Sequence, residues 1–75
     1  MNKMRRKAIE DISNQIEELK SALEDIKDEE QEVLDNMPEN LQMSDRATES
    51  EDAISTMEDA MEELDSAIES LGELI

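Results

Sequence analysis

Apolar residues in the C-terminal half of the chain follow an unbroken alternation of three- and four-residue steps, from Ile54 to Ile75. This spacing is the heptad pattern of a coiled-coil helix, in which positions a and d face a partner helix. It predicts a long α-helix with one buried stripe. The a positions are Ile54, Met61, Ile68 and Ile75, and the d positions are Met57, Leu64 and Leu71.

The N-terminal half carries a second heptad series. No Gly or Pro interrupts the chain from Lys3 to Met37, so this series predicts one continuous helix of about thirty residues. One of its a positions, Glu30, is charged. The other a positions are Ile9, Ile16 and Leu23, and the d positions are Ile12, Leu19, Ile26 and Val33.

A short turn separates the two series. Pro38 cannot continue a helix and disfavours helical backbone in the residue before it. Ser44 or Thr48 then has the side chain needed to cap a second helix. Met37, Leu41 and Met43 are expected to plug the open end of the structure. We predict a single domain over residues 1–75, with helix one over about 3–36, a loop over about 37–43 and helix two over about 44–74.

Two helices joined by so short a loop must run antiparallel. Every heptad layer is satisfied when two facing residues have numbers that sum to 80, which sets Glu30 against Ser50. At one edge of the seam this register predicts two ion pairs, Lys20 with Glu58 and Lys27 with Glu51. It also places the basic N-terminal residues beside Glu69, Glu73 and the terminal carboxylate. The predicted fold is all-α, an antiparallel two-helix coiled-coil hairpin.

Small residues line the opposite edge of the seam, where Ala recurs every seven residues in helix two. Small side chains let another helix approach closely, although Ala is also simply a good helix former. A chain of 75 residues also needs support beyond one small core. We therefore predict that two hairpins form a homodimeric four-helix bundle. The predicted oligomer interface is Ala22, Ala53, Ala60 and Ala67.

Composition excludes several functions. The chain has 23 acidic and 7 basic residues, a net charge of −16, and no Cys, His or aromatic residue. Phosphate backbones require cations, so direct binding to nucleic acid is not expected, and neither is binding to anionic membranes. Without a nucleophile–base pair or a phosphate loop, we expect a protein that is not an enzyme, with no catalytic, cofactor-binding or metal-binding residues and no cofactor. We expect it to stay in the compartment where it is made.

Helix two is acidic over nearly its whole length, with ten Asp or Glu and no Lys or Arg from Ala47 to Ile75. This one-sided charge suggests that it binds a protein with a basic surface. One alternative stays open: the acid only keeps a self-assembling structural or adaptor coiled coil in solution. The predicted partner-binding residues form what we call the acidic face: Glu51, Glu58, Asp59, Glu62, Glu63, Asp65 and Glu69.

The turn from Asn36 to Gln42 reads NMPENLQ and is followed by Ser44 and an acidic, Ala-rich helix. In this it resembles small uncharacterised acidic helical-hairpin proteins encoded by phages and mobile elements of Gram-positive bacteria. The chain departs from that pattern at Ala47-Thr48, where an aromatic residue would be expected. The resemblance implies an accessory protein in the cytoplasm of a bacterial host cell. It also implies that the basic partner is a host nucleic-acid-binding protein, which the chain inhibits as a DNA mimic or an anti-defence factor. It implies no catalytic residue.

Overall fold

The computed structural model describes residues 1–41 and 44–75. Two long helices, α1 over Lys3–Asp35 and α2 over Asp45–Gly72, are joined through a short 3-10 turn at Glu39–Leu41. They pack against each other in a rod about 59 Å long. The described residues therefore form the predicted all-α helical hairpin.

Local hydrogen bonds fix both ends of α1. The Asn2 side chain accepts a hydrogen bond from the Arg5 backbone N–H at 2.8 Å, which caps the first turn. At the other end, the backbone N–H and the side-chain Nδ2 of Asn36 both donate to the Glu32 carbonyl, at 3.0 and 2.9 Å. Because Pro38 follows at once, the chain leaves the helix there.

Ser44, one of the two residues predicted to cap the second helix, caps α2. Its hydroxyl oxygen accepts a hydrogen bond from the Ala47 backbone N–H at 3.4 Å and donates to the Leu41 carbonyl. Thr48 already lies in the first turn, where its hydroxyl donates back to the Ser44 carbonyl at 3.3 Å. At the far end α2 stops at Gly72, two residues before the predicted end.

The predicted stripe of α2 faces α1. Ala47 and Ile54 are buried, with 1% and 6% of their surface exposed, and Ser50 is buried beside them. The rest of the stripe is half-buried, except at the C-terminus, where Ile75 is exposed. The half-buried residues are Met57, Met61, Leu64, Ile68 and Leu71.

The predicted stripe of α1 is only half correct. Its a positions turn towards α2, but its d positions are exposed instead of lying in the seam. Ser13, Lys20 and Lys27, at the neighbouring e positions, occupy the seam in their place. At 100° per residue this is a rotation of α1 by about 50° from the predicted orientation. The exposed d positions and their exposed fractions are Ile12 49%, Leu19 65%, Ile26 55% and Val33 52%.

The residues at position e explain the rotation. Ser13 is small and almost fully buried, so it fits into the seam. The Lys20 and Lys27 side chains are only 29% and 24% exposed, because their methylene stems lie along the seam while their charged ends reach water. Acidic side chains fill the e positions of α2, so turning this edge of α1 inward also brings its cations towards them.

The loop covers the open end of the hairpin in part. Met37 is buried, with 8% of its surface exposed, whereas Leu41 stays exposed. Both line a shallow hollow together with Val33 and Arg46. Met43, the third residue predicted to plug this end, lies outside the described residues.

Candidate interaction surfaces

One polar pair marks the register of the hairpin. The Ser50 hydroxyl donates a hydrogen bond to the Glu30 carboxylate at 2.6 Å. Glu30 is half-buried and Ser50 is 6% exposed, so this bond satisfies both groups inside the seam. The two numbers sum to 80, and the pairing is the one predicted for this layer.

The two predicted ion pairs at the edge of the seam are wrong. Lys20 Nζ lies 2.6 Å from Asp65 Oδ1, one heptad beyond the predicted partner Glu58. Lys27 pairs with its neighbour Asp28 at 3.2 Å, and not with Glu51. Both lysines have stems long enough to cross more than one helical turn, so the heptad letters do not fix the partner.

The Lys20–Asp65 contact closes this edge of the hairpin. The hydrogen bond to Asp65 raises the pKa of Lys20 above its usual 10.5, and the nearby carboxylates of Glu24 and Glu17 act in the same direction. The ammonium therefore favours the folded chain at all pH values below its ordinary pKa, and the gain is lost as pH rises through the folded pKa. Because the pair is exposed, its contribution to stability is small.

The basic N-terminus of α1 does not find its predicted partners. In the described ranges its one ion pair lies within α1, between Lys7 and Asp11 at 3.3 Å. No ion pair joins it to Glu69 or Glu73 within the same ranges. Four cations in the first seven residues therefore point into solvent: Lys3, Arg5, Arg6 and Lys7.

The seven residues of the acidic face are all exposed. Asp65 is the one that pairs with a cation in the described part of the chain. In sequence α2 contains one basic residue, Arg46, which lies at the loop end and not among these carboxylates. The structure thus brings the predicted acidic residues together on the outside of one helix, with little neutralising charge.

The predicted oligomer interface is divided. Ala53, Ala60 and Ala67, which we call the alanine strip, are half-buried along α2, whereas Ala22 on α1 is exposed. Beside Ala22 lie the d residues that the structure leaves outside the seam. We call the d and g positions of α1 together its outer face, which consists of Ala8, Ile12, Gln15, Leu19, Ala22, Ile26, Glu29 and Val33.

The outer face of α1 and the alanine strip of α2 belong to the same side of the hairpin. Arg46 lines a hollow with Val33 and a second, neighbouring hollow with Ala53 and Met57. Lys20 and Asp65 close the other side. The hairpin therefore has one closed, ion-paired edge and one open, apolar edge.

The sequence predictions placed an interface at this edge but missed its aliphatic residues, because Ile12, Leu19, Ile26 and Val33 were assigned to the seam. A signal for it is present: the outer face also alternates four- and three-residue steps from Ala8 to Val33. α1 therefore carries two such series, the a and d positions and the d and g positions. A helix of this kind has more apolar surface than a single neighbour can cover.

In residues 1–41 and 44–75, no group of three or more acidic side chains is arranged to hold a metal ion. Neither of the helices described here combines the length and the apolar character needed to cross a membrane.

Comparison with known proteins gives no relative for this chain: no family, curated protein or solved structure matches it significantly.

Proposed function

We propose that the protein is a non-enzymatic interaction module whose acidic face binds a basic surface on another protein. The observation that carries this proposal is the exposure of all seven acidic-face residues on a helix with almost no counter-charge. Carboxylates one helical turn apart are separated by about 5.4 Å, comparable to the spacing of phosphates along a strand. A nucleic-acid-binding protein is therefore the class of partner that this face suits best.

Electrostatics favours fast association with such a partner. A net charge of −16 on a chain of 75 residues creates a long-range negative potential that steers basic proteins towards it. The likeness of the Asn36–Gln42 turn to hairpins from phages and mobile elements supports an accessory, anti-defence setting in a bacterial host. In that setting the acidic face acts as a DNA mimic.

A pull-down from bacterial lysate with a matched pair of variants tests this function. The first variant neutralises Glu58, Asp59, Glu62 and Glu63 on α2, as Glu→Gln and Asp→Asn. The second makes the same changes at four exposed α1 positions: Glu17, Glu18, Glu24 and Asp25.

Both variants are less negative than the unmodified chain by four units of charge, and both keep the Lys20–Asp65 pair. We expect the unmodified chain and the α1 variant to capture a nucleic-acid-binding protein that salt and duplex DNA release, and the α2 variant to capture none. Equal capture by both variants, or capture that is indifferent to salt and DNA, contradicts the proposal.

A second function, a self-assembling structural or adaptor coiled coil, is favoured by a different observation. The d positions of α1 are about half or more exposed, although they are large aliphatic residues. Exposed apolar surface that is continuous and bordered by polar residues is typical of a protein-binding face.

A further inference from the structure

We propose that a second copy of this chain covers the outer face of α1, in a four-helix bundle with two-fold symmetry. In this bundle α1 packs antiparallel against α1 of the second copy, and the alanine strip of α2 packs against its own counterpart. The inference deepens the self-assembly function above, and it does not depend on what the acidic face binds.

The outer face has the form of a second coiled-coil seam. Its aliphatic d residues alternate with g residues, of which Ala8 and Ala22 are small and Gln15 and Glu29 are polar. Large and small side chains in alternation allow two such ladders to interdigitate. Since α2 already covers the a and e positions of α1, the outer face requires a different neighbour.

The two apolar features have the same centre along the rod. The outer face runs from residue 8 to residue 33, so its midpoint lies between Lys20 and Ser21. The Glu30–Ser50 bond sets residues that sum to 80 at one level, and this midpoint is therefore level with residue 59.5 on α2. The alanine strip is centred on Ala60, which is within about 1 Å of that level at 1.5 Å per residue.

One two-fold axis perpendicular to the rod therefore pairs both features at once. On α1 it sets Leu19 opposite Ala22 of the second copy, a large residue against a small one. On α2 it sets Ala60 opposite itself and Ala53 opposite Ala67. A closed, two-fold arrangement of this kind is the commonest form of homo-oligomer.

The charges of α1 select the antiparallel direction. Its first seven residues contain four cations and no acid, whereas residues 28–35 contain five acids and no cation. Antiparallel packing places each basic end beside the acidic end of the other copy, twice by symmetry. Parallel packing would place like charges together at both ends.

The area also suits a dimer that uses both helices. A strip of 25 residues is about 38 Å long and one helix is about 10 Å wide, so α1 alone offers roughly 400 Å² per copy. Two such strips bury about 800 Å², below the 1,200–2,000 Å² or so of a stable interface. The alanine strip spans residues 53–67, about 21 Å, and adds roughly 200 Å² per copy at the same width. The total is then roughly 1,200 Å², at the lower end of that range.

Sedimentation equilibrium with two matched variants tests the dimer. We expect the unmodified chain to have twice its 8.6 kDa monomer mass. Leu19→Glu with Ile26→Glu should raise the dimer Kd by more than about 100-fold, because a symmetric interface loses each side chain twice. The control adds the same charge at two exposed polar positions of α1, Asn14→Glu with Ser21→Glu, and should remain a dimer.

Helicity by circular dichroism should be kept in both variants at high concentration, since all four substituted residues are exposed. An unmodified chain that stays monomeric at about 100 μM overturns the proposal, because a chain with a stable interface would be dimeric at that concentration. This limit applies to the unmodified chain only, since mutants of one interface differ in Kd by decades. A dimer that survives the Leu19→Glu, Ile26→Glu change places the interface elsewhere and also overturns it.

Disulfide formation tests the symmetry, in a chain that has no cysteine of its own. Ala60→Cys should oxidise readily to a covalent dimer across the two-fold axis, whereas Ser66→Cys, on an exposed position of the same helix, should not. Ala8→Cys should crosslink with Val33→Cys on another chain but not with itself. Self-crosslinking of Ala8→Cys would show a parallel dimer and contradict the proposal.

Salt separates this inference from the binding of a basic partner. Two copies that each carry a charge of −16 repel, and salt screens that repulsion over a Debye length of about 8 Å at physiological ionic strength. Added salt should therefore tighten the dimer while it weakens the pull-down. Dimerisation that weakens steeply with salt would contradict the apolar interface, whereas loss of the pull-down alone would contradict only the acidic-face function.

Discussion

Ile26 on α1 and Ile54 on α2 show how differently the two helices use the same heptad pattern. Both lie on the apolar spacing of their helix, and their numbers sum to 80, so they were expected to face each other. In the structure Ile54 is 6% exposed and Ile26 is 55% exposed. α2 turns its a and d stripe inward from Ala47 to Leu71, whereas α1 turns a and e inward and leaves d outside.

The difference shows what a heptad spacing determines and what it does not. The spacing locates an apolar stripe, but the residues beside the stripe decide which edge of it faces the partner. On α1 the e positions carry small Ser13 and the long stems of Lys20 and Lys27, which fit the seam and bring cations towards an acidic helix. On α2 the e positions are acids, and they stay in solvent.

The largest expected effect is a difference in stability between substitutions at the two isoleucines. At concentrations at which the chain is monomeric, Ile54→Ala should lower the free energy of unfolding by about 2–5 kcal/mol, because it empties a buried site. Ile26→Ala should cost less than about 1 kcal/mol, since its side chain stays mostly in water. Urea unfolding followed by circular dichroism measures both, and equal losses would show that Ile26 is in the seam.

The polar layer of the seam should have a smaller effect. Ser50→Ala removes the donor to the half-buried Glu30 carboxylate, and we expect a loss of about 1–2 kcal/mol. Ser66→Ala, on the outside of α2, is the matched control and should change stability little. If Glu30→Gln restores part of what Ser50→Ala loses, the cost comes from the unpaired charge and not from packing.

The helix caps extend the comparison to the two N-termini. Ser44→Ala should cost about 1 kcal/mol, because Ser44 caps α2 next to the turn that joins the helices. Asn2→Ala should cost less, since the first turn of α1 lies at the end of the rod, where helices fray. A larger loss at Asn2 than at Ser44 would contradict this account of the turn.

The smallest effect concerns the closed edge. Because the hydrogen bond to Asp65 raises the pKa of Lys20, the stabilisation from this pair should be constant from neutral pH up to 10.5 and fall as pH rises further. Lys20→Met should remove that alkaline loss. Asp65→Asn should reproduce the effect of Lys20→Met on the pH profile and Glu58→Gln should not; the reverse result would restore the predicted Lys20–Glu58 pair.

Local chemistry was predictable from sequence where one residue type determines the outcome. Pro38 ends the first helix, and Ser44, one of two predicted candidates, caps the second. Glu30 meets Ser50 because the loop length and the heptads allow one register. The partner of Lys20 was not predictable, since its four-carbon stem can reach either of two acids that lie one heptad apart on α2, Glu58 and Asp65. The exposure of Leu19 was not predictable from apolar spacing either, because both edges of α1 carry residues that fit a seam. The exposure of the acidic face was predictable because its residues lie outside positions a and d of the heptad, and acidic side chains are almost never fully buried unless they are paired.

Isotope-filtered methyl NMR on a mixture of labelled and unlabelled chains tests the central claim, which is that α1 turns its a positions to α2 and its d positions to a second copy. Leu23 and Leu19, at neighbouring a and d positions, are the probes. Leu23 methyl groups should show contacts to α2 within the same chain, and Leu19 methyl groups should show contacts only between chains. Contacts from Leu19 to α2 of its own chain, as strong as those from Leu23, would contradict the account.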